Sequence, residues 1–109
     1  MPERGDVWLA ALDPVSPGEQ GGTRPVLVVS TNAFNSWPVL LAIVVPITTR
    51  DRGFPHHVTV GEGGLDRPSF AMPEYVRSVA QRRLRRRLGS TNQVTLTAVD
   101  DWLRRFTGL

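Results

Sequence analysis

Apolar residues in this chain fall mainly into short runs with the period of β-strands. Near the N-terminus, Val7 and Leu9 alternate with Trp8 and Ala10, which predicts a strand buried on at least one face. Two later runs are rich in Val, Leu and Ile and predict central strands. The predicted strands are residues 5–12, 25–31, 39–47, 57–60, 69–72 and 75–79.

Two segments have a helical pattern instead. Residues 80–88 are basic with a helical repeat, and Gly89 is placed to end the helix. The C-terminal segment predicts an amphipathic helix lying on the sheet, capped by Thr95 or Thr97 and ending near Gly108. Its apolar positions are Leu96, Val99, Leu103 and Phe106. Several short antiparallel strands with segregated helices predict an α+β fold, mainly β, forming a small partly closed barrel.

The composition is that of an ordinary globular protein. A length of 109 residues, 40% of them hydrophobic, predicts a single domain over residues 1–109. The absence of cysteine excludes disulfides and thiolate metal sites and suits a reducing cytoplasm. No secretory signal is visible, and the longest apolar stretch, residues 38–47, is about half of the roughly 20 residues that span a bilayer. We therefore expect a cytoplasmic protein that does not enter a membrane.

Positive charge gives a weak indication of an anionic partner. All 13 basic side chains are arginine, and the net charge is +3. The densest run, residues 82–87, is equally compatible with phosphate binding and with a solvated helix face. Among the tryptophans, Trp8 and Trp102 lie in hydrophobic patterns and are expected in the core. Trp37 lies in a predicted loop and is the better candidate to stack on a base.

The most suggestive chemistry lies in the predicted loop at residues 13–23. Glu19, Gln20, Thr23 and Arg24 stand beside glycines just before a hydrophobic strand. Glycines let the backbone approach an anion, and an arginine fork can hold two phosphate oxygens. The combination can bind a phosphodiester. From spacing alone, a solvated hairpin loop with a surface salt bridge at Arg24 remains the more common explanation.

The two histidines are a second candidate for nuclease chemistry. A histidine pair can supply a general base and a general acid. His56 and His57 are adjacent, however, and neighbouring residues of a strand point to opposite faces. We expect that they do not flank one phosphate, and two histidines are too few for a metal site. No metal and no cofactor is predicted.

Several short motifs follow one another in order along the chain. The main ones are Arg4-Gly5-Asp6-Val7-Trp8, Gly18-Glu19-Gln20, Arg24-Pro25-Val26-Leu27-Val28-Val29, Asn32-Ala33-Phe34-Asn35 and Pro46-Ile47-Thr48-Thr49. Further ones are the strand at 55–60, Gly64-Leu65, Arg77-Ser78-Val79 and Leu84. In this order and spacing they resemble the MazF/PemK toxin family, and the likeness covers nearly the whole sequence.

The resemblance implies a PemK-like or CcdB-like fold, an SH3-like barrel, in a homodimer that cleaves single-stranded RNA at short preferred sequences without a metal. By position, Arg24 and Thr48 correspond to the catalytic pair. The family's usual glutamine two residues before Arg77 is replaced by Tyr75, which affects the expected base preference and not the fold. Residues implied in RNA binding are Glu19, Gln20, Thr49, Arg50 and Arg77.

In such an enzyme the ribose 2′-oxygen attacks its own phosphorus and leaves a 2′,3′-cyclic phosphate and a 5′-hydroxyl. The family also implies a cognate antitoxin, a small dimer with an acidic tail. Two alternatives stay open, because a fold does not fix a function. One is a CcdB-like inhibitor of DNA gyrase without nuclease chemistry, and the other is a degenerate member kept as a binding module or antitoxin decoy.

Overall fold

The longest apolar runs of the sequence form the central strands of an antiparallel sheet. The computed structural model of the protein describes residues 1–12 and 22–109. The helices are α1 (Asn32–Asn35) and α2 (Gln93–Thr107), and 3₁₀ turns occupy Pro73–Tyr75 and Gln81–Arg83. The strands are β1 (Asp6–Leu12), β2 (Gly22–Val28), β3 (Leu41–Thr48), β4 (Val58–Thr59), β5 (Phe70–Ala71), β6 (Arg77–Ala80) and β7 (Leu84–Ser90).

All pairings in the sheet are antiparallel, in the order β4-β5-β3-β2-β1-β7. The long strand β3 pairs with β2 on one side. On its other side it pairs with β6 along its first half and with β5 near its end. The segment after β4 meets the residue that follows β7 through an isolated bridge between Glu62 and Thr91. Because this is a single bridge and not a ladder, the barrel is partly closed, and the predicted fold class is confirmed.

The sheet is buried on both faces, which explains why its central strands read as continuous apolar runs. One hydrophobic core, here called the helix-side core, lies between α2 and one face of the sheet. The second, here called the opposite-face core, lies on the other face. Buried residues of the helix-side core include Val7, Leu27, Val45, Ile47, Leu96 and Val99. Those of the opposite-face core are Ala10, Leu12, Val26, Val28, Ala42, Val44, Val79 and Leu84.

The prediction of a helix over residues 80–88 is wrong. After one 3₁₀ turn the chain forms β7, which pairs with β1. Two register shifts leave Arg85 and Leu88 as extra residues on β7, and such bulges reverse which face the following residues occupy. Leu84 therefore joins the opposite-face core, whereas Leu88 packs against the helix-side core. The backbone hydrogen bonds between β7 and β1 therefore stabilise a strand here more than the four-residue spacing of these leucines favours a helix.

The C-terminal helix is confirmed, but its predicted N-cap is not. The Asn92 side chain caps the helix by accepting a hydrogen bond from Thr95 N at 2.9 Å. The Thr95 hydroxyl instead accepts one from Gly61 N at 3.0 Å. Gly108 ends the helix with φ of 77°, as expected from its position.

The boundaries of β2 also differ from the prediction. This strand begins at Gly22 and ends at Val28, three residues earlier at each end. The shift follows from the hairpin with β1, in which Gly22 and Thr23 pair with Leu12 and Ala11. Part of the predicted loop is therefore ordered as strand.

Candidate active site

Arg24 and Thr48 lie at the same end of the β2–β3 ladder. The last pair of this ladder is Val26 with Pro46, and Thr48 is the final residue of β3. Extending the antiparallel register by two residues places Arg24 opposite Thr48. Alternate residues of a strand share a face, so both side chains project from the face that carries Val26. The two predicted catalytic residues therefore share one face of the sheet at the same end of these strands.

Strand β6 places Arg77 on the same face. Arg77 is paired with Val44, which lies four residues before Thr48 in β3 and belongs to the opposite-face core. Arg77 also lines a cavity of about 200 Å³ together with Arg82 and Arg83. This face of the sheet thus has an apolar centre and a basic margin.

Arg24 is in an environment that disfavours positive charge. Burial lowers the pKa of its guanidinium below the usual value, and the nearby positive charge of Arg52 lowers it further. A phosphate accepting hydrogen bonds from this guanidinium would replace lost hydration and offset the repulsion. Sequence reasoning missed Arg52, although its place four residues after Thr48 in a segment with a second arginine was a usable signal.

The segment after β3 turns back towards its own strand. The Thr48 hydroxyl oxygen accepts a hydrogen bond from Arg50 N at 3.1 Å, which leaves the hydroxyl proton available to donate. Asp51 Oδ1 accepts one from Gly53 N at 2.9 Å. Thr49 and Arg50 are exposed, so both side chains are accessible to a large ligand.

Two predicted RNA-binding residues, Glu19 and Gln20, lie outside the described residues. The chain leaves the described region at Leu12 and re-enters it at Gly22, and these two residues are paired across the β1–β2 ladder. Gly22, the described residue that follows this segment, stands two residues before Arg24 in β2.

The arginine run at residues 82–87 divides between two roles. Arg82 and Arg83 line the cavity beside Arg77. Arg87 is structural, because its Nε donates to the buried Asp6 carboxylate at 3.1 Å. Trp8 Nε1 donates to the same carboxylate at 3.1 Å. The charged residues of β7 also protect an edge strand from pairing with another chain.

Trp37 and Trp8 agree with their predicted environments, whereas Trp102, expected in the core, lies in neither the helix-side core nor the opposite-face core of the described residues. Trp37 is 55% exposed and packs on Phe34 with ring centroids 5.1 Å apart. Trp8 is partly buried and packs against the opposite-face core. Trp102 is partly buried on α2, where its ring contacts Phe106.

The expectation that His56 and His57 point to opposite faces is wrong. Both residues precede β4 instead of lying in a strand, and both ring Nε2 atoms approach Glu74 Oε2, at 3.4 and 2.6 Å. Glu74 lies in the 3₁₀ turn before β6. Within residues 1–12 and 22–109, this is the one group of three side chains suited to hold a metal ion.

Neither helix in the described part of the chain is long and apolar enough to cross a membrane.

Known proteins match this chain in both sequence and fold. A model of the family described as PemK-like, MazF-like toxins of type II toxin–antitoxin systems matches residues 3–107. Endoribonuclease MazF of Staphylococcus epidermidis is 31% identical over 112 aligned positions, which cover 100% of this chain and 93% of that protein. The match extends well beyond the site to the entire barrel and α2.

Solved structures give the same result. MazF from Deinococcus radiodurans superposes with a TM-score of 0.87 at 29% identity, covering 99% of this chain and 97% of that one. A MazE–MazF complex from the same organism gives 0.81 at 28% identity, with coverage of 99% and 96%. A mycobacterial endoribonuclease in complex with its cognate antitoxin gives 0.75 at 25% identity, with coverage of 99% and 94%. The chain belongs to the PemK-like, MazF-like toxin family of type II toxin–antitoxin systems.

Proposed function

We propose that this protein is an endoribonuclease toxin that a cognate antitoxin neutralises. Its family and its relative named Endoribonuclease MazF support this function. Arg24 and Thr48 share one face of the sheet, and Arg52 adds positive charge near Arg24. This observation assigns the proposed activity to particular residues. No gyrase-inhibiting CcdB-like function is favoured, since a protein that acts only by binding has no need of this pair.

In the proposed reaction the ribose 2′-oxygen attacks the adjacent phosphorus and displaces the 5′-oxygen. The 2′-hydroxyl loses its proton, the leaving 5′-oxygen gains one, and the products are a 2′,3′-cyclic phosphate and a 5′-hydroxyl. Because attack is intramolecular, the protein must mainly align sugar and phosphate and stabilise the added negative charge. DNA lacks the 2′-hydroxyl and is not cleaved.

We assign charge stabilisation to Arg24 and hydrogen bonding to a phosphate oxygen to Thr48. An arginine keeps its proton in proteins and is a poor general base, even where burial lowers its pKa. Its two-pronged donor geometry suits the two oxygens on which charge builds. Thr48 can donate because its oxygen, not its proton, is used by Arg50 N. Neither of these two roles requires a metal ion.

The remaining contacts to single-stranded RNA are proposed for residues around this face. Thr49 and Arg50 are exposed next to Thr48, and Arg77 lies across β3. Glu19 and Gln20 complete the set from the segment between β1 and β2. The arginines neutralise phosphates and add a salt-dependent term to binding.

We further propose that the protein acts as a homodimer in the cytoplasm, where its RNA targets are. A two-fold dimer presents the same surface twice, so that one RNA strand can contact both protomers. Light scattering at micromolar concentration tests this. A species of about 12 kDa that still cleaves RNA would refute it.

The antitoxin is proposed to reach the same face with an acidic tail. Such a tail complements the positive charge around Arg24, Arg52 and Arg77 and becomes ordered on binding. The relatives solved as MazE–MazF and toxin–antitoxin complexes support a partner of this kind. Tail and RNA would then exclude each other.

The test is to incubate the purified protein with a long RNA in EDTA and to map the ends of the fragments. We expect discrete cuts with 2′,3′-cyclic phosphate and 5′-hydroxyl ends, and no cleavage of DNA of the same sequence. An RNA substrate with 2′-O-methyl groups at the mapped cuts is the matched control and should resist cleavage. Intact RNA in the first assay, from folded protein, would favour a binding module instead.

A further inference from the structure

We propose that His56, His57 and Glu74 bind a zinc ion that has a structural role, apart from the RNA-cleaving chemistry. The three residues come from two segments that are far apart in sequence, the end of the β3–β4 connection and the 3₁₀ turn before β6. One ligand atom from each lies within 4.8 Å of the other two. Two imidazoles and a carboxylate supply three of the four tetrahedral positions of a zinc ion, and water fills the fourth.

Two of the three distances between ligand atoms are close to those of a tetrahedral zinc ion, and the two imidazole nitrogens, within 4.8 Å of each other, close up by about 1.5 Å at most. Zinc bonds of about 2.0–2.1 Å place neighbouring ligand atoms about 3.3 Å apart. His56 Nε2 is already 3.4 Å from Glu74 Oε2. His57 Nε2 is 2.6 Å from the same oxygen, a hydrogen-bond distance. An ion takes the place of that shared proton and requires the two atoms to separate by less than 1 Å.

Aromatic packing holds the imidazole rings in position before any ion arrives. His56 stacks on Phe54 with ring planes 8° apart, and it meets Trp102 and Phe106 of α2 edge to face. The ring of His57 packs edge-on against Phe54. Preorganised ligands lose little conformational freedom on binding, so the ordering cost is small.

The site also has an entry path. The His57 side chain is only 4% exposed, whereas those of His56 and Glu74 are 27% and 30% exposed. His56 and Glu74 can therefore bind the ion from solvent. The ion then contacts the buried His57. The carboxylate reduces the cost of bringing a divalent charge to a partly buried place.

The remaining nitrogen of His57 limits the affinity. His57 Nδ1 is buried and has no hydrogen-bond partner among the described residues. Partners of the second imidazole nitrogen contribute about 10–100-fold to metal affinity. We therefore expect zinc binding about 10–100-fold weaker than at sites in which both histidines are supported.

A bound ion joins three parts of the fold. It links the end of segment 49–57 to the 3₁₀ turn at Pro73–Tyr75, and through the His56 ring it fixes both against α2. The two adjacent histidines alone are too few for a metal site, and Glu74, the third ligand, lies 17 residues beyond His57. The ion is expected to stabilise the folded state, because it binds a site that the unfolded chain lacks.

The experiment uses protein without a histidine tag, since His56 and His57 are the two histidines of the chain and it has no cysteine. After dialysis against EDTA and removal of the chelator, Zn²⁺ is titrated by calorimetry. Co²⁺ serves as a visible-absorption probe of tetrahedral coordination. Glu74→Gln keeps the size of the side chain but removes the anionic ligand. His56→Phe keeps the ring packing but removes the nitrogen, and Asp66→Asn is the charge-matched control at a 95% exposed carboxylate.

We expect one Zn²⁺ per chain and a higher unfolding temperature with Zn²⁺ for the wild type and for Asp66→Asn. Glu74→Gln and His56→Phe should each weaken binding at least about 10-fold and lose the shift in unfolding temperature. No binding by the wild type, or equal binding by all four proteins, would overturn the site. RNA cleavage by the metal-free protein in EDTA is the separate readout, and its loss on chelation alone would overturn the assignment of a structural role.

Discussion

Replacing Arg24 by alanine tests the catalytic assignment most directly. Arg24 is half-buried in β2, so its charge is partly shielded from water and acts on a bound phosphate more strongly than an exposed one would. Loss of one preorganised donor to transition-state charge costs about 10²–10³-fold in rate, equivalent to about 2.7–4 kcal/mol. We expect a fall of at least about 100-fold in kcat/KM for Arg24→Ala.

The fold should survive this change. The residue opposite Arg24 in β1 is Ala10, and its backbone pairing does not depend on the side chain. The loss of strand propensity is limited to about 1 kcal/mol. Arg24→Lys should restore little activity, because an ammonium group is a point charge without the planar fork.

The assay is single-turnover cleavage of a fluorescent RNA that carries one mapped cut site. Arg67→Ala is the matched control, since it removes the same charge from an exposed position whose nearest carboxylate, on Asp66, is 4.0 Å away. Thermal unfolding is measured on each variant. Cleavage within a few-fold of the wild type by folded Arg24→Ala would refute the role assigned to this residue.

Four further predictions concern the same molecule. Thr48→Val keeps the shape of a β-branched residue and removes the hydroxyl, so kcat should fall about 10-fold or more with little change in stability. Arg77→Ala should reduce the slope of log affinity for single-stranded RNA against log salt by about 0.7, the value for one phosphate contact, and an unchanged slope contradicts that contact. Gly64→Ala places a Cβ 1.9 Å from Leu88 O at φ of +73°, so chemical denaturation should show a free energy of unfolding lower by at least about 2 kcal/mol. Gly22→Ala is the control, because its φ of +72° is nearly the same and its Cβ meets no described atom within 4 Å. An acidic antitoxin tail should inhibit RNA cleavage competitively and less strongly as salt is raised, and simultaneous tight binding of tail and RNA would contradict a shared face.

The sequence alone predicted the elements whose signal is local. Alternation in β1 and the continuous apolar runs of β2 and β3 identified the centre of the sheet, because burial selects for those patterns wherever the strand is placed. The helical repeat around Leu96 and Val99 predicted α2, and Gly108 marked its end. The candidate pair of Arg24 and Thr48 came from the family resemblance, since neither spacing nor charge distinguishes them from other loop and strand-end residues.

Tertiary structure decided the elements whose signal depends on distant partners. Residues 84–90 carry leucines at helical spacing, but the open edge of β1 offers backbone hydrogen bonds that a separate helix would leave unmade. Likewise, no spacing rule relates His56 and His57 to Glu74. These three side chains meet because β4 pairs with β5 and the chain then turns back immediately after that strand. Local patterns specify what a segment can bury, whereas long-range pairing determines which of its polar groups meet.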